Sequence, residues 1–160
     1  MLPKHFAHLN IRPATNADSD SVRKLVFAVL AEFGLRGDPD LTDADLNDLE
    51  ANYAGRGGCF DVIEDAAGSL VGCWGLYRVD ESTCELRKMY FVPLVRGSGL
   101  GRHVLEAALQ RARELGFSRM VLETSSKLIA ANRLYQQFGF KRAVSDHLAA
   151  RADQFYELDL

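Results

Sequence analysis

The strongest constraint on the fold is the change of hydrophobic period along the chain. The region from Cys59 to Val92 consists of runs rich in β-branched and aromatic residues, separated by turn signals at AAGS and DES, which is typical of a three-stranded meander. The following segments then alternate between helical and extended patterns, in the order LGRHVLEAALQRARELG, RMVLET, KLIAANRLYQQFG, FKRAVSD and DQFYELDL. Because a strand, helix, strand succession requires at least one parallel crossover, the pattern predicts a mixed α/β sheet.

The amino-terminal third predicts one strand and two helices. IRPAT predicts a short strand that Pro13 closes, and residues 16–34 predict an amphipathic helix that ends at a glycine. A second, short helix is expected within residues 38–53, opened by Thr42 or Asp43. With the two later helices, the expected number of helices is about four.

An acidic segment precedes the first strand of the meander. Six acidic residues and no basic one lie between Asp38 and Glu50. Such a run is typical of a solvated helix face. The alternative is a wall of carboxylates that attracts cationic substrates.

Composition limits the class of protein. The 160 residues are 48% hydrophobic and carry a formal net charge of −3, with a pI near 5.8. A chain of this length buries roughly 70% of the surface that it exposes when unfolded, so residues 1–160 are expected to form one domain. The acidic pI argues against a strongly basic nucleic-acid-binding protein. No apolar stretch is long enough for a signal peptide or a membrane span, so we expect a cytoplasmic protein with no membrane association.

The cysteines and histidines show no spacing that is typical of a metal site. Cys59, Cys73 and Cys84 are far apart in sequence and form no CxxC motif, which favours reduced, buried thiols. The four histidines show no ligand spacing either. We therefore expect no bound metal.

The most specific local feature is the glycine-rich junction FVPLVRGSGLGRHVL, between a strand and the long helix. Gly97, Gly99 and Gly101 lie where main-chain amides lack partners within the helix and where the helix dipole is positive. Glycine suits such a place because it adopts positive φ and lets a phosphate approach the chain closely. Arg96 and Arg102 flank the junction with positive charge, so it is predicted to be an anion site built from backbone.

Three other interpretations of this junction are possible. The nucleoside-triphosphate motif GxxxxGK[ST] is absent. The dinucleotide fingerprint GxGxxG begins with Gly97 and Gly99, and Glu123 lies where a ribose-binding acid is expected, but Arg102 occupies the position of the third glycine. A turn without a ligand is the third interpretation, although three glycines between arginines would cost such a turn backbone entropy.

Read as R-x-x-G-x-G through Arg96, Gly99 and Gly101, the junction resembles the acyl-CoA pyrophosphate loop of the GCN5-related N-acetyltransferase (GNAT) superfamily. CELRKMYFVP resembles the central strand of that family, and AANRLYQQFGF resembles its late A-x-x-L-Y-x-x-x-G-F block. The resemblance covers essentially the whole chain. It implies a GNAT-type α/β fold, in which a single-layer mixed β-sheet is flanked by about four helices on both faces. It also implies an acetyltransferase that uses acetyl-CoA as its co-substrate.

The resemblance further implies residues for the acetyl-CoA site. In the family, the strand that leads to the loop separates from its neighbour and pairs with the pantetheine arm, which here corresponds to residues 89–91. The amides of residues 96–101 would hold the pyrophosphate. Many relatives carry an asparagine where this chain has Leu128, and Asn132 is the candidate substitute. The cofactor-binding residues expected on this basis are Met89, Tyr90, Phe91, Arg96, Gly97, Ser98, Gly99, Leu100, Gly101, Arg102 and Asn132.

Two catalytic residues are also implied by the resemblance. Tyr135 matches the tyrosine that commonly protonates the departing CoA thiolate, and a phenol with a pKa of about 10 suits that role. Glu85 matches an acidic residue that often acts, directly or through water, as the general base. A base is useful because a lysine-type amine with a pKa of about 10.4 must lose a proton first, which costs about 4.6 kcal/mol at pH 7. A main-chain amide near Tyr90 or Phe91 would meet the developing oxyanion.

Each of these assignments has a structural alternative. Glu85 is equally suited to an ion pair with Arg87 or Lys88 on the strand surface. Glu123, at the carboxyl end of a strand, is a second candidate base, and its alternative is an ordinary end-of-strand acid. Tyr135 has the core-packing role that is common for aromatic residues on helices.

Three functions are therefore open on the sequence. The first is an N-acetyltransferase that moves acetyl from acetyl-CoA to a primary amine of a small molecule or peptide, by direct attack in a ternary complex. The second is a non-catalytic acyl-CoA-binding module or sensor, and the third is a nucleotide-dependent oxidoreductase domain. The presence of both Glu85 and Tyr135 favours the first. The exposed closing strands are compatible with a homodimer.

Overall fold

The computed structural model describes residues 2–160 of the protein. The helices are α1 (Ser19–Glu32), α2 (Leu49–Asn52), α3 (Leu100–Glu114) and α4 (Ile129–Gln137). The strands are β1 (Asn10–Pro13), β2 (Cys59–Glu64), β3 (Leu70–Arg78), β4 (Thr83–Phe91), β5 (Arg119–Thr124), β6 (Lys141–Ala143) and β7 (Gln154–Asp159).

All seven strands form one mixed sheet in the order β1-β2-β3-β4-β5-β7-β6. β4 and β5 run parallel, and the other neighbouring strands in the described part of the chain run antiparallel. α3 makes the crossover between β4 and β5, so the predicted mixed α/β sheet is confirmed. The dinucleotide-binding alternative is wrong, because that fold needs a mostly parallel sheet.

Helices cover both faces of the sheet, as predicted. On one face, α1 and α2 enclose a cluster that includes Val22 and Phe60. On the other face, α3 and α4 enclose a larger cluster that includes Leu105 and Leu122. The sheet is thus buried on both sides near its centre. Two neighbouring strands separate at this centre, and their separation positions the site.

β4 and β5 separate soon after they begin to pair. Their pairing covers only residues 83–85 of β4 and residues 119–121 of β5. Beyond it, β4 contains a bulge, where the register against β3 shifts. Lys88 lies in this bulge with φ at 56°, a left-handed conformation that costs a non-glycine residue about 1–2 kcal/mol. Because a bulge bends its strand, β4 turns away from β5 and leaves a cleft in the middle of the sheet.

The acidic segment between α1 and β2 agrees in part with the sequence prediction. A helix opened by Thr42 or Asp43 is expected, and a short 3₁₀ helix does follow Asp43, over Ala44–Asn47, but the α-helix α2 begins only at Leu49, with Asp48 as its cap. Asp43 is fully buried, and the side chain of Asp45 is 7% exposed. Both pair with basic residues of the sheet. The expectation of a solvated helix face is therefore wrong at Asp43 and Asp45, and these two central acids are not free to attract a cationic substrate.

The three cysteines are free thiols in buried or half-buried positions. Burial raises the pKa of Cys59, Cys73 and Cys84 to about 12 in each case. These thiols are therefore protonated at neutral pH and unsuited to nucleophilic catalysis. Within residues 2–160, no group of His, Cys, Asp and Glu side chains is arranged to hold a metal ion. None of the helices in this range is long and apolar enough to cross a bilayer.

Candidate active site

The separated strands β4 and β5 open into a cleft of about 620 Å³. Its walls come from the end of α1, β4, the glycine-rich loop, the end of β5, α4 and residues 147–152. From Leu86 onward, the edge of β4 that faces β5 has no strand partner in the described chain, so its main-chain groups are available to a ligand. The expected site residues that line the cleft are Glu85, Met89, Tyr90, Phe91, Arg96, Gly97, Gly101 and Tyr135. Ser98 and Gly99 on the loop, and Leu100 and Arg102 in the first turn of α3, are not part of the lining.

The glycine-rich loop contains a run of unpaired main-chain amides. Gly97 and Gly99 have φ values of 72° and 89°, and a Cβ added at either would meet nothing within 4 Å. The amide of His103 is the first in α3 to find an acceptor, the Gly99 carbonyl. The six amides of residues 97–102 have no acceptor within residues 2–160. They lie at the positive end of α3, an arrangement that binds phosphate.

The residues that flank the loop are used differently from the prediction. The amide of Arg96 is not available, because it donates to the Pro93 carbonyl at 3.1 Å. The Arg96 guanidinium donates to both carboxylate oxygens of Glu32, and Arg102 donates to Gln137 at 2.6 Å. The candidate anion site is thus made of backbone, and it begins one residue later than expected.

Asn132 does not line the cleft. Its side chain accepts a hydrogen bond from the Thr124 hydroxyl and donates one to the Ser125 carbonyl, both at 2.9 Å. The structure therefore does not support the prediction that Asn132 replaces the absent pantetheine asparagine. Instead, Asn132 ties α4 to the end of β5, while Leu128 itself lines the cleft.

Two carboxylates face the cleft from neighbouring strands. Glu85 forms an ion pair with Arg87, which is the alternative role that the sequence offered for it. Glu123 is half-buried, forms no ion pair with the described residues and accepts only a long hydrogen bond from the Ala149 amide, at 3.4 Å. Burial and the nearby charge of Glu85 raise the pKa of Glu123, and they outweigh the Ala149 amide and the charges of Arg87 and Arg151. Of these two carboxylates, Glu123 is therefore the one that has no ion-pair partner in the described chain and can accept a proton from a ligand.

Tyr135 is held on the opposite side of the cleft by aromatic packing. Its ring centroid lies 5.8 Å from that of Phe140 and 6.3 Å from that of Tyr156. Burial, and to a smaller extent Tyr90, raises the pKa of Tyr135. Its hydroxyl has no hydrogen-bond partner within residues 2–160. The phenol is therefore protonated at neutral pH and can donate to a ligand atom in the cleft.

A buried ion network forms one wall of the cleft. Lys88 Nζ lies 2.7 Å from Oδ1 of Asp43, and Arg151 donates to both oxygens of the same carboxylate, at 2.7 and 2.8 Å. Lys88 Nζ also donates to the Thr42 carbonyl at 3.2 Å. Burial alone would raise the pKa of Asp43, but the bonds to Arg151 and Lys88 outweigh it and lower the pKa to about 2. The network joins the acidic segment, the bulge of β4 and the residues before β7.

Sequence reasoning missed this network as part of the site. The sequence did contain a signal for it. The acidic segment holds no basic residue, and Lys88 lies inside an apolar strand. If buried, each needs opposite charge from another part of the chain. No motif marks Arg151, which lies in the segment between β6 and β7.

Known proteins resemble this chain in sequence or in fold. Residues 25–140 match the model of the Acetyltransferase (GNAT) family. The Escherichia coli uncharacterized N-acetyltransferase YjgM is 37% identical over 136 residues, which cover 82% of this chain and 81% of that protein. An acetyltransferase of GNAT family from Staphylococcus aureus Mu50 has a TM-score of 0.87 at 24% identity, covering 94% of this chain and 98% of that one. YncA from Salmonella typhimurium, solved with its cofactor acetyl-CoA, has a TM-score of 0.72 at 23% identity, covering 95% of this chain and 94% of that one.

The likeness to the two solved structures shows the fold, which agrees with the sheet order and the helices on both faces. The family model covers well over half of the chain, and the relative from Escherichia coli matches along most of both sequences. The chain therefore belongs to the acetyltransferase (GNAT) family of enzymes.

Proposed function

We propose that this enzyme is an N-acetyltransferase that moves the acetyl group of acetyl-CoA to a primary amine of a small molecule or peptide, by direct attack in a ternary complex. The observation that carries the proposal is the cleft between β4 and β5 beside the run of six unpaired amides. Those amides suit a pyrophosphate. The free edge of β4 at residues 89–91 suits the amide groups of a pantetheine arm.

The reaction forms a bond between the amine nitrogen and the acetyl carbon and breaks the thioester C–S bond. One proton leaves the nitrogen and one reaches the sulfur, so the step needs a base and an acid. Acetyl-CoA supplies the activated acetyl group. The protein supplies the proton acceptor, the proton donor and the placement of both substrates.

We assign the general base to Glu123 in place of Glu85. Support comes from their partners: Arg87 engages Glu85, whereas Glu123 faces the cleft without an ion pair and has a raised pKa. A base whose pKa is closer to neutral holds the transferred proton better. Reaching the neutral amine costs about 4.6 kcal/mol at pH 7, and a positioned base contributes about 10²–10⁴-fold to the rate.

Tyr135 is proposed as the general acid, because its neutral hydroxyl lines the cleft and has no protein partner in the described chain. It would donate its proton to the sulfur as the C–S bond breaks. An unpaired main-chain amide of β4, near Tyr90 or Phe91, would donate to the acetyl oxygen as that atom gains negative charge.

Ligand binding followed by thiol release tests this function. Acetyl-CoA and CoA, each at about 100 times its Kd, are expected to add about 2.7 kcal/mol to the free energy of unfolding, and NAD is expected to add none. Free CoA thiol should then appear from acetyl-CoA only when a primary amine is present. Stabilisation by NAD and not by CoA would contradict the acetyl-CoA site. Binding of acetyl-CoA without thiol release from any amine would favour the sensor alternative.

Gly99→Val is expected to weaken CoA binding about a hundredfold, a loss of about 2.8 kcal/mol of charge-assisted hydrogen bonds. The added side chain would fill the open space beside the unpaired amides. Gly116→Val is the matched control, because Gly116 has the same φ of 89°, also has open space, and lies at the other end of α3. Both variants should lose about 1–2 kcal/mol of stability. Calorimetric titration with CoA separates them, and equal affinities would show that the phosphates bind elsewhere.

A further inference from the structure

Arg87 lines the cleft with a guanidinium whose hydrogen-bonding capacity is only partly used. Its side chain is 29% exposed, lines the cleft and lies over the ring of Tyr77, with Cζ 3.7 Å from the ring centroid. Its Nε donates to Glu85. The two terminal nitrogens make no hydrogen bond within residues 2–160, although Nη1 forms a long ion pair with Oδ2 of Asp45, at 3.8 Å. Stacking and the Nε bond therefore orient the guanidinium and leave its terminal N–H groups for a ligand.

The other basic residues of the cleft are already committed. Lys88 binds Asp43 and the Thr42 carbonyl, and Arg151 spends both terminal nitrogens on Asp43. Arg96 spends both of its terminal nitrogens on a carboxylate of α1. Among the arginine and lysine side chains that line the cleft, Arg87 is thus the one whose terminal nitrogens lack a hydrogen-bond partner in the described chain.

Strand geometry sets Arg87 opposite Glu123. Glu85 and Val121 are paired in the parallel register of β4 and β5. Since side chains alternate along a strand, the next residue on the same face of each strand is Arg87 on β4 and Glu123 on β5. The two strands part at this point, so Arg87 and Glu123 lie on the same face of the sheet, on either side of the opening, and both line the cleft.

We propose that the acceptor is an amine that also carries a carboxylate, as a free amino acid does. Its carboxylate binds the terminal nitrogens of Arg87, and its amine lies against Glu123. This inference rests on the proposed acetyl transfer and adds the class of acceptor. The planar guanidinium matches a carboxylate with two parallel hydrogen bonds, which a neutral amide cannot reproduce. The products are an N-acetyl amino acid and CoA, with the nitrogen proton passing to Glu123 and a proton reaching the CoA sulfur.

Matched acceptors test the inference directly. CoA release is measured at saturating acetyl-CoA for the protein amino acids, for their amides and for the corresponding decarboxylated amines. The carboxylate member is expected to have kcat/KM about 30-fold above that of its amide, which corresponds to about 2 kcal/mol at 1.4 kcal/mol per tenfold. The amide has the less basic amine and so supplies more free base at a given pH. A preference for the acid therefore cannot come from the ionisation of the amine.

Arg87→Gln is expected to remove this preference. The acid-to-amide ratio of kcat/KM should fall from about 30 to about 1, mainly through a higher KM for the acid. The Kd of CoA should not change. Arg78→Gln is the matched control, because Arg78 also stacks on an aromatic ring, that of Phe117, but lies outside the cleft lining. It should keep both the ratio and the KM.

The outcomes separate this inference from the proposed function. If amides or plain amines have kcat/KM values equal to those of the acids, the proposal of a carboxylate-bearing acceptor is overturned while acetyl transfer stands. The same holds if Arg87→Gln keeps the preference for the acids. If no amine releases CoA although acetyl-CoA binds, the proposed function fails and the inference fails with it.

Discussion

Glu123→Gln is expected to lower kcat about a hundredfold or more, because the amide cannot accept the proton of the attacking amine. The same change should leave the unfolding temperature equal or higher, since a half-buried neutral amide is less costly than a half-buried carboxylate without an ion-pair partner. CoA release at saturating substrates gives kcat, and calorimetric unfolding gives the stability. Loss of turnover in a protein that folds as well as the parent identifies a chemical role for Glu123.

The pH profile gives an independent test of the same assignment. In the parent enzyme, kcat/KM should rise with pH as Glu123 loses its proton, and the raised pKa places this rise above that of an exposed glutamate, which titrates near about 4.3. Glu123→Gln should remove this rise. Glu85→Gln should keep it and raise the KM of the acceptor, because Glu85 orients Arg87. The opposite pattern, with the rise lost only in Glu85→Gln, would return the general base to Glu85.

Tyr135→Phe is expected to lower kcat about a hundredfold and to leave the Kd of CoA unchanged. The change removes the hydroxyl and keeps the ring that packs against Phe140. The departing thiolate then lacks its proton donor, so the loss should appear in the rate of CoA release and not in binding. Single-turnover kinetics with a saturating amine, combined with calorimetric titration of CoA, measure the two quantities separately.

Tyr156→Phe is the matched control for this variant. Tyr156 is a buried neighbour of Tyr135, but its hydroxyl bonds to Gln136 and Gln154 outside the cleft lining. Its loss should reduce stability by about 1 kcal/mol and keep turnover. Undiminished turnover in Tyr135→Phe, or equal losses in both variants, would remove Tyr135 from the mechanism.

Much of the fold is predictable from the sequence because its signals are local. The strands from Cys59 onward, the crossover helix and the late helix are each marked by a period that extends over a few turns or residues. The glycine loop is predictable for the same reason, since Gly97 and Gly99 require positive φ in the structure and stand directly before a helix. In this loop, the glycines that the anion-site prediction rests on are the residues that adopt positive φ.

The rest depends on partners that are distant in sequence. Asp43 looks like a surface acid because its own segment holds no basic residue, and only the folded sheet brings Lys88 and Arg151 to it. Asn132 looks like a ligand-binding amide until packing places Thr124 and Ser125 against it. Of the two candidate bases, the pairing of Glu85 with Arg87 is local and is among the sequence expectations, whereas the lack of an ion-pair partner for Glu123 in the described chain depends on the packing around it.

The buried network around Asp43 also limits how such an enzyme can acquire a new substrate. Its carboxylate is shared by side chains from the bulge of β4 and from the segment before β7. Grafting the acidic segment alone from a relative would strand buried charges on both sides of the join, at a cost of about 3–5 kcal/mol. The acidic segment, the bulge of β4 and the segment before β7 are therefore expected to change together. Arg87 is tied to the same network through Asp45, whose Oδ1 lies 3.4 Å from Lys88 Nζ and whose Oδ2 lies 3.8 Å from Arg87 Nη1. Evolution or design that changes the acceptor must therefore alter these segments together.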